Sequence, residues 1–187
     1  ALVVQKNTAT SHHGGGVYLQ DEGSTFTATG NSTRVTVESN TAGQAGGGMF
    51  SSSGADVMVE SGATLVVQKN TAVFEGAGIA LAFRGASLSV VGRDTRLHIL
   101  DNIMTSGDVG KSTTASRSGA GLAVGPGASA VITSPSLFRG NRADAGAGGA
   151  VAFTGVSEDD GATACVSVDL EINGDKSTAT GTGKSGR

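Results

Sequence analysis

The sequence has no tryptophan, one tyrosine, two prolines and a single cysteine, and it has no long apolar run. Cys165 cannot form a disulfide within the chain, so cysteine usage leaves the redox compartment open. The scarcity of proline, and the lack of glycine at every third position, exclude a collagen helix. A membrane-spanning helix needs about 20 consecutive apolar residues. The sequence therefore predicts no direct insertion into a membrane.

Charge and aromatic rings are also scarce. The chain has 13 Lys and Arg against 16 Asp and Glu, for a net charge of -3, and its only rings besides the histidines are six Phe and one Tyr. Proteins that bind nucleic acid use clustered positive charge, and those that bind single strands add aromatic side chains on which bases stack. The sequence shows neither pattern along the chain, so we expect no nucleic-acid partner.

Glycine is the residue present in excess, at 31 of 187 positions, more than twice the usual share of about 7%. Flexible linkers are also rich in glycine, but 37% of this chain is hydrophobic and its net charge is low. Disordered segments combine low hydrophobicity with high net charge. The glycines are therefore expected at fixed positions in a fold.

The chain repeats. LVVQKNTA occurs at residues 2–9 and again at 65–72, and RVTVESNTA at 34–42 is a weaker copy. The asparagine of this segment recurs at intervals of 33, 30, 32, 39 and 32 residues, at Asn7, Asn40, Asn70, Asn102, Asn141 and Asn173. Most copies are followed about seven residues later by a glycine cluster. We attribute the one long interval to a loop insertion at 103–118.

Apolar residues alternate with polar ones when the repeats are aligned on the asparagine. The positions five and three residues before it are apolar in eleven of twelve cases, as in Leu65 and Val67. A second alternating segment follows the glycines, and a third lies midway, with Phe26 and Ala28, or Val57 and Val59, as its inward pairs. Period-two alternation is typical of β-strands.

Three short strands per repeat cannot bury their apolar sides alone, but stacked repeats can. The sequence therefore predicts an all-β, right-handed parallel β-helix (solenoid), with about five rungs of 30–33 residues and three short strands in each. We expect one β-helix domain at 1–173, a fragment of a longer solenoid. Residues 174–187 are expected to start a further rung or to form a flexible polar tail.

The recurrent residues suit the corners of such a helix. Corners need positive φ or close backbone approach, which glycine allows and asparagine tolerates. Stacked asparagines can form a ladder, each amide bonding to the rungs on either side. The alanine two places later, as in Ala42 and Ala72, fits a tight corner. We interpret all six asparagines as structural residues.

One repeat resembles a known signature. Phe138-Arg139-Gly140-Asn141, followed by Gly148-Gly149-Ala150-Val151, is similar to the FxxN and GGA(I/L/V) motifs of the chlamydial polymorphic outer-membrane proteins. The other repeats carry Val, Ile or Leu in place of the Phe. The resemblance implies a β-helix passenger at a cell surface that adheres to cells or other molecules, with an extracellular location.

Motifs for catalysis or metal binding are weak. Asp159 and Asp160 read as a solvated turn, and His12-His13 lacks a third ligand at a defined spacing. GKS at 110–112 and 183–185 lacks the first glycine of a phosphate-binding loop. We predict no catalytic residue, no metal site and no cofactor. Asn31 in Asn31-Ser32-Thr33 is a possible glycosylation site.

Two classes of function remain. The favoured one is a non-enzymatic structural or adhesive surface module, either a β-helix passenger or a fibre-forming repeat region of a larger extracellular protein. Its partners would be neighbouring repeats of the same or identical chains, and host-cell or matrix glycans or proteins. The alternative is a carbohydrate-active β-helix enzyme, a polysaccharide lyase or hydrolase, or a glycan-binding module. Such an enzyme would need carboxylates that converge on one face.

Overall fold

A computed structural model of the chain describes residues 1–105, 119–144, 149–153, 163–166 and 170–173, the last two ranges as backbone strands only. All regular secondary structure in these residues is β-strand, and every strand pair is parallel. No helix in the described part of the chain is long and apolar enough to cross a bilayer.

The strands form four sheets, which we call A, B, C and D in the order in which the chain visits them. Sheet A contains β1 (Leu2–Gln5), β5 (Arg34–Glu38), β9 (Thr64–Gln68), β13 (Arg96–Leu100), β17 (Ser136–Arg139) and β21 (Leu170–Asn173). Sheet B contains β2 (Thr8–Ala9), β6 (Thr41–Ala42), β10 (Thr71–Ala72), β14 (Ile103–Met104) and β18 (Arg142–Ala143). Sheet C contains β3 (Val17–Gln20), β7 (Met49–Ser52), β11 (Ile79–Ala82), β15 (Leu122–Val124) and β19 (Val151–Phe153). Sheet D contains β4 (Thr25–Thr29), β8 (Asp56–Glu60), β12 (Ser87–Val90), β16 (Ser129–Ile132) and β20 (Thr163–Val166).

Each strand pairs with its equivalent one repeat later, so the chain winds through all four sheets in every turn. Leu2 is aligned with Val35, Val35 with Leu65, and Leu65 with Leu97. This confirms the predicted right-handed parallel β-helix. The three longer strands of each rung are those that the alternation indicates. The two-residue strands of sheet B are an addition, because two residues are too few to show a period.

The core lies between the sheets and is built from the predicted columns. Sheet A contributes pairs such as Leu65 and Val67, and sheet D contributes Val57 and Val59, all fully buried. Burying one such side chain stabilises the fold by about 1.5–3 kcal/mol. The corner alanines Ala42 and Ala72 are also fully buried, and Met104 takes the same position one rung later.

The corner between sheets A and B depends on the residue before each asparagine, not on the asparagine itself. That residue has a positive φ in five successive rungs, at Lys6, Ser39, Lys69, Asp101 and Gly140. The expectation that asparagine supplies the positive φ at this corner is therefore wrong. Its backbone stays outside the left-handed region, while four of the five left-handed positions hold a residue with a side chain.

The glycine clusters bring the backbone against the asparagines of the next rung. A Cβ on Gly48, the third glycine of its cluster, would lie 2.6 Å from the carbonyl oxygen of Gly78 and 2.9 Å from Nδ2 of Asn70. Gly16, Gly78 and Gly121 have the equivalent contacts with Asn40, Asn102 and Asn141. Glycine is required here because there is no room for a side chain.

The first glycine of each cluster covers the outer side of sheet C. A Cβ on Gly46 would lie 2.7 Å from the Cβ of Phe50, and one on Gly76 would lie 2.7 Å from the Cα of Ala80. Among the outward residues of sheet C, Phe50, Ala80 and Ala123 are buried, whereas Tyr18 in the first rung is 49% exposed. Sheet A keeps an outer face on which its outward arginines are exposed.

The insertion predicted at 103–118 begins later than expected. Ile103 and Met104 belong to β14, and the Thr105 N–H donates to the carbonyl of Ala72, so the regular rung continues to that point. Residues 106–118, and the segment at 174–187, lie outside the described residues.

We predict that Gly48→Ala lowers the free energy of unfolding by about 1–3 kcal/mol, because its methyl group overpacks the ladder corner. Denaturant unfolding followed by circular dichroism measures this change. The control is Gly23→Asn, at a positive φ that asparagine tolerates and where a Cβ meets no atom within 4 Å. We expect the control to lose about 1 kcal/mol or less, from the left-handed conformation alone. Equal effects would contradict the steric explanation.

Candidate functional site

The asparagines form a continuous ladder at the corner between sheets A and B. The Nδ2 of Asn7, Asn40, Asn70 and Asn102 each donates to the Oδ1 of the next rung's asparagine, at 3.0, 3.0, 3.0 and 2.9 Å. The same Oδ1 atoms also accept the backbone N–H of the preceding asparagine. Each step of the ladder therefore contains two hydrogen bonds to one oxygen.

A third bond ties each amide to the rung before it. Nδ2 of Asn70 also donates to the carbonyl of Val37, at 3.0 Å, and Asn40, Asn102 and Asn141 repeat this bond with Val4, Val67 and Ile99. An asparagine side chain offers two N–H donors and an oxygen that accepts two bonds. Asn40, Asn70 and Asn102 use all four, so their fully buried amides are completely satisfied.

Asn173 is the last of the six predicted ladder asparagines, and only its backbone is described. Strand β21 pairs it with Arg139, two residues before Asn141, and aligns Leu170 and Ile172 with Ser136 and Phe138. This backbone pairing differs by two residues from the register of the preceding rungs, and a ladder role for the Asn173 side chain stays a prediction. A shift by two residues keeps the same alternation, so the sequence pattern fits both registers. Ala150 holds the position at which the four preceding rungs have the glycine that packs on the next asparagine.

The ladder has no chemical capacity left for a ligand. Its interior amides are buried and bonded to protein atoms, and amides neither titrate nor act as nucleophiles near neutral pH. Any binding function must therefore use the outer faces of the helix.

The outer face of sheet A carries a group of cationic side chains that we call the arginine face: Arg34, Arg96, Arg139 and His98. Register places Arg34 and Arg96 in one column, on either side of Thr64. The three arginines are exposed. Partial burial lowers the pKa of His98, and the positive charges of Arg34, Arg96 and Arg139 lower it further.

A ring stack lies on the outer side of sheet C. The His13 ring stacks on Phe50 with centroids 4.3 Å apart, and Tyr18 stacks on the same Phe50 ring at 5.5 Å. Nδ1 of His13 accepts the N–H of Ala45, at 3.3 Å. Partial burial, and then the charge of His12, lower the pKa of His13. The stack places half-exposed Tyr18 beside the buried Phe50.

A shallow polar cleft lies at the corner between sheets C and D. Glu22, Asp56 and Arg84 line it together with glycine and serine. Oδ1 of Asp56 accepts a 2.6 Å hydrogen bond from the Ser87 hydroxyl. Within the described ranges, no three His, Cys, Asp or Glu side chains lie close enough together to hold a metal ion.

The remaining predicted positions are dispersed. Asn31 lies in the exposed turn between β4 and β5, and its glycosylation stays a prediction. His12 is exposed, while Asp159 and Asp160 lie outside the described residues. The arginine face was missed because Arg34 and Arg96 are 62 positions apart in the chain. Alignment of the repeats on their asparagines could have found it, since both arginines stand six residues before one.

Comparison of the chain with protein-family models, with curated proteins and with solved structures finds no match. The class of protein therefore rests on the fold itself, a parallel β-solenoid built from repeats.

We predict that Asn70→Ala destabilises the fold by at least about 3 kcal/mol, because it leaves several buried groups unsatisfied, each at a cost of about 1–3 kcal/mol. The groups include the N–H of Asn40 and the carbonyl of Val37. The control is Asn7→Ala, at the exposed first step of the ladder, where we expect about 1 kcal/mol or less. Denaturant unfolding measures both, and similar losses would contradict the ladder's role.

We also predict that folding stability falls as the pH is lowered from 7 to 5. The pKa of His98 is lowered in the folded state, so the unfolded chain binds the proton more readily over this range, and protonation favours unfolding. His98→Gln should flatten the dependence, and NMR titration of the His98 ring should give a pKa below the usual 6.5. A His98 pKa above that value would contradict the prediction.

Proposed function

We propose that this chain is a non-enzymatic structural and adhesive module, a β-helix passenger or fibre-forming repeat region of a larger extracellular protein. The observation that carries the proposal is that recurrent and variable residues have different places in the structure. The recurrent asparagines, glycines and inward apolar residues are all used within the scaffold. The side chains that face solvent differ from rung to rung.

The outward column of sheet A illustrates this variability. It runs through Val3, Thr36, Val66, His98 and Leu137, and all of these except Val66 are at least partly exposed. These residues are too different from one another to form an active site that is repeated in every rung. A scaffold with a varied outer surface is compatible with such differences. Repeat solenoids use extended surfaces of this kind to bind other macromolecules.

The similarity to the chlamydial surface proteins supports the same proposal. In the repeat that resembles their FxxN motif, Phe138 is fully buried in the core and Asn141 is a ladder residue. Both motif residues are therefore structural here, because Phe138 packs in the core of its rung and Asn141 forms hydrogen bonds at the corner. We carry over from the resemblance the cell-surface location and the adhesive role.

The polar cleft favours one second candidate, a carbohydrate-active enzyme or glycan-binding module. Glu22, Asp56 and Arg84 all line the cleft. Two carboxylates beside a basic side chain are the minimum that polysaccharide cleavage requires.

The two candidates are separated by one pair of measurements. The protein is incubated with acidic and neutral polysaccharides in the presence of Ca²⁺, and chain length is followed by size-exclusion chromatography. Its retention on cultured cells and on extracellular matrix is measured in parallel. We expect retention without any shortening of the polysaccharides. Depolymerisation that Glu22→Gln/Asp56→Asn abolishes would overturn the proposal in favour of the enzyme.

A further inference from the structure

The arginine face combines several positive charges on one regular surface. Arg34 and Arg96 are two strand spacings apart, a distance of about 10 Å. Arg139 stands in the next rung after Arg96, at the other end of the strands. Arg34 and Arg96 thus lie in one column of sheet A, and Arg139 lies at the opposite edge of the sheet, with His98 between Arg96 and Arg139.

These arginines lack the partners that surface arginines often find. In the described part of the chain, none of the three forms an ion pair or a side-chain hydrogen bond. The one carboxylate on the outward side of the same strands is Glu38, whose Oε2 accepts a 2.7 Å hydrogen bond from Gln68. Asp101 lies at the corner, with its Oδ1 against Gly140.

The residues between the arginines are neutral. Thr36, Thr64 and Leu137 are half-buried outward residues of this face. The described part of this surface therefore presents unpaired positive charges at spaced positions on one sheet. An extended partner with negative charges at intervals is complementary to it, because each arginine can bind a carboxylate or sulfate group through two parallel N–H donors.

We propose that the arginine face binds an extended acidic polysaccharide whose carboxylate or sulfate groups pair with Arg34, Arg96 and Arg139. The inference rests on the adhesive role proposed above and names the chemical class of one partner. A single-stranded nucleic acid is also an extended polyanion, but its binding sites add aromatic side chains for base stacking. The described residues of the arginine face include no aromatic ring other than that of His98.

The test measures binding of the purified protein to end-immobilised dextran sulfate, to polygalacturonate and to neutral dextran. We expect binding to one or both acidic polymers, weakening as salt is raised, and none to neutral dextran. Arg34→Gln/Arg96→Gln should raise the Kd at least about fivefold, as expected for two surface charge contacts. Sulfated and carboxylated polymers are compared at equal charge density to identify the preferred group.

Two further variants make the result specific. Arg93→Gln/Arg142→Gln removes the same net charge from the exposed turn between β12 and β13 and from sheet B, and it should change the Kd less than about twofold. Arg34→Lys/Arg96→Lys keeps the charge and should recover most of the binding. Thermal unfolding checks that each variant remains folded, since all four arginines are exposed.

Three outcomes would overturn the inference: equal loss in both glutamine variants, no binding to either acidic polymer, or arginine-dependent binding of a single-stranded oligonucleotide as tight as that of the polysaccharides. Failure of the adhesive proposal is distinguishable from failure of this one. If the Arg34→Gln/Arg96→Gln variant is still retained on cells, the binding role of the arginine face is contradicted and the adhesive proposal stands. If the protein binds acidic polymers through its arginines but is not retained on cells or matrix, only the adhesive proposal is contradicted.

Discussion

The structure depends on a buried row of amides that must be satisfied. An asparagine side chain placed away from water is costly unless its donors and acceptor are all bonded. Asn40, Asn70 and Asn102 meet this condition only when equivalent asparagines lie above and below them in the same register. The ladder therefore favours stacking of the rungs and also opposes a slip of one rung against the next, which would leave amides unpaired.

Several other features of the fold follow from the ladder. The last residue of each of the first four clusters is a glycine because the next rung's amide leaves no room for a side chain, as at Gly48 against Asn70. The residue before each asparagine takes a left-handed conformation to turn the chain into the corner, even where it is lysine or aspartate, as at Lys69 and Asp101. Such conformations are unfavourable for residues with a side chain, so the surrounding bonds must hold them in place.

The sequence was informative where a residue repeats and silent where it does not. Leu65 and Val67 could be assigned to the core from alternation alone, and the Asn-to-glycine spacing indicated the corner. The left-handed conformation of the residue before each asparagine could not be predicted, because a lysine such as Lys69 has no preference for positive φ. The backbone register of Asn173 could not be predicted for a different reason. A shift of two residues replaces Val168 and Leu170 by Leu170 and Ile172 in the inward columns, and the alternation stays the same.

The surfaces on the outer faces are formed by residues that are far apart in the sequence. Arg34, Arg96 and Arg139 are distant in the sequence and meet only because the helix stacks equivalent positions. Charge clustering along the sequence does not reveal such a surface. Alignment of equivalent positions from successive rungs does reveal it. The polar cleft at Glu22, Asp56 and Arg84 arises in the same way, from three successive rungs.

Hydrogen exchange of the ladder amides tests the central claim most directly. The backbone N–H groups of Asn40, Asn70 and Asn102, and their side-chain Nδ2 protons, are expected to exchange slowly and together, with the free energy of global unfolding. The reference is the exposed turn at Asp21–Ser24, which is expected to exchange fast. Ladder protons that exchange as fast as this turn, or independently of one another, would contradict the account of the ladder as the constraint that holds the rungs in register.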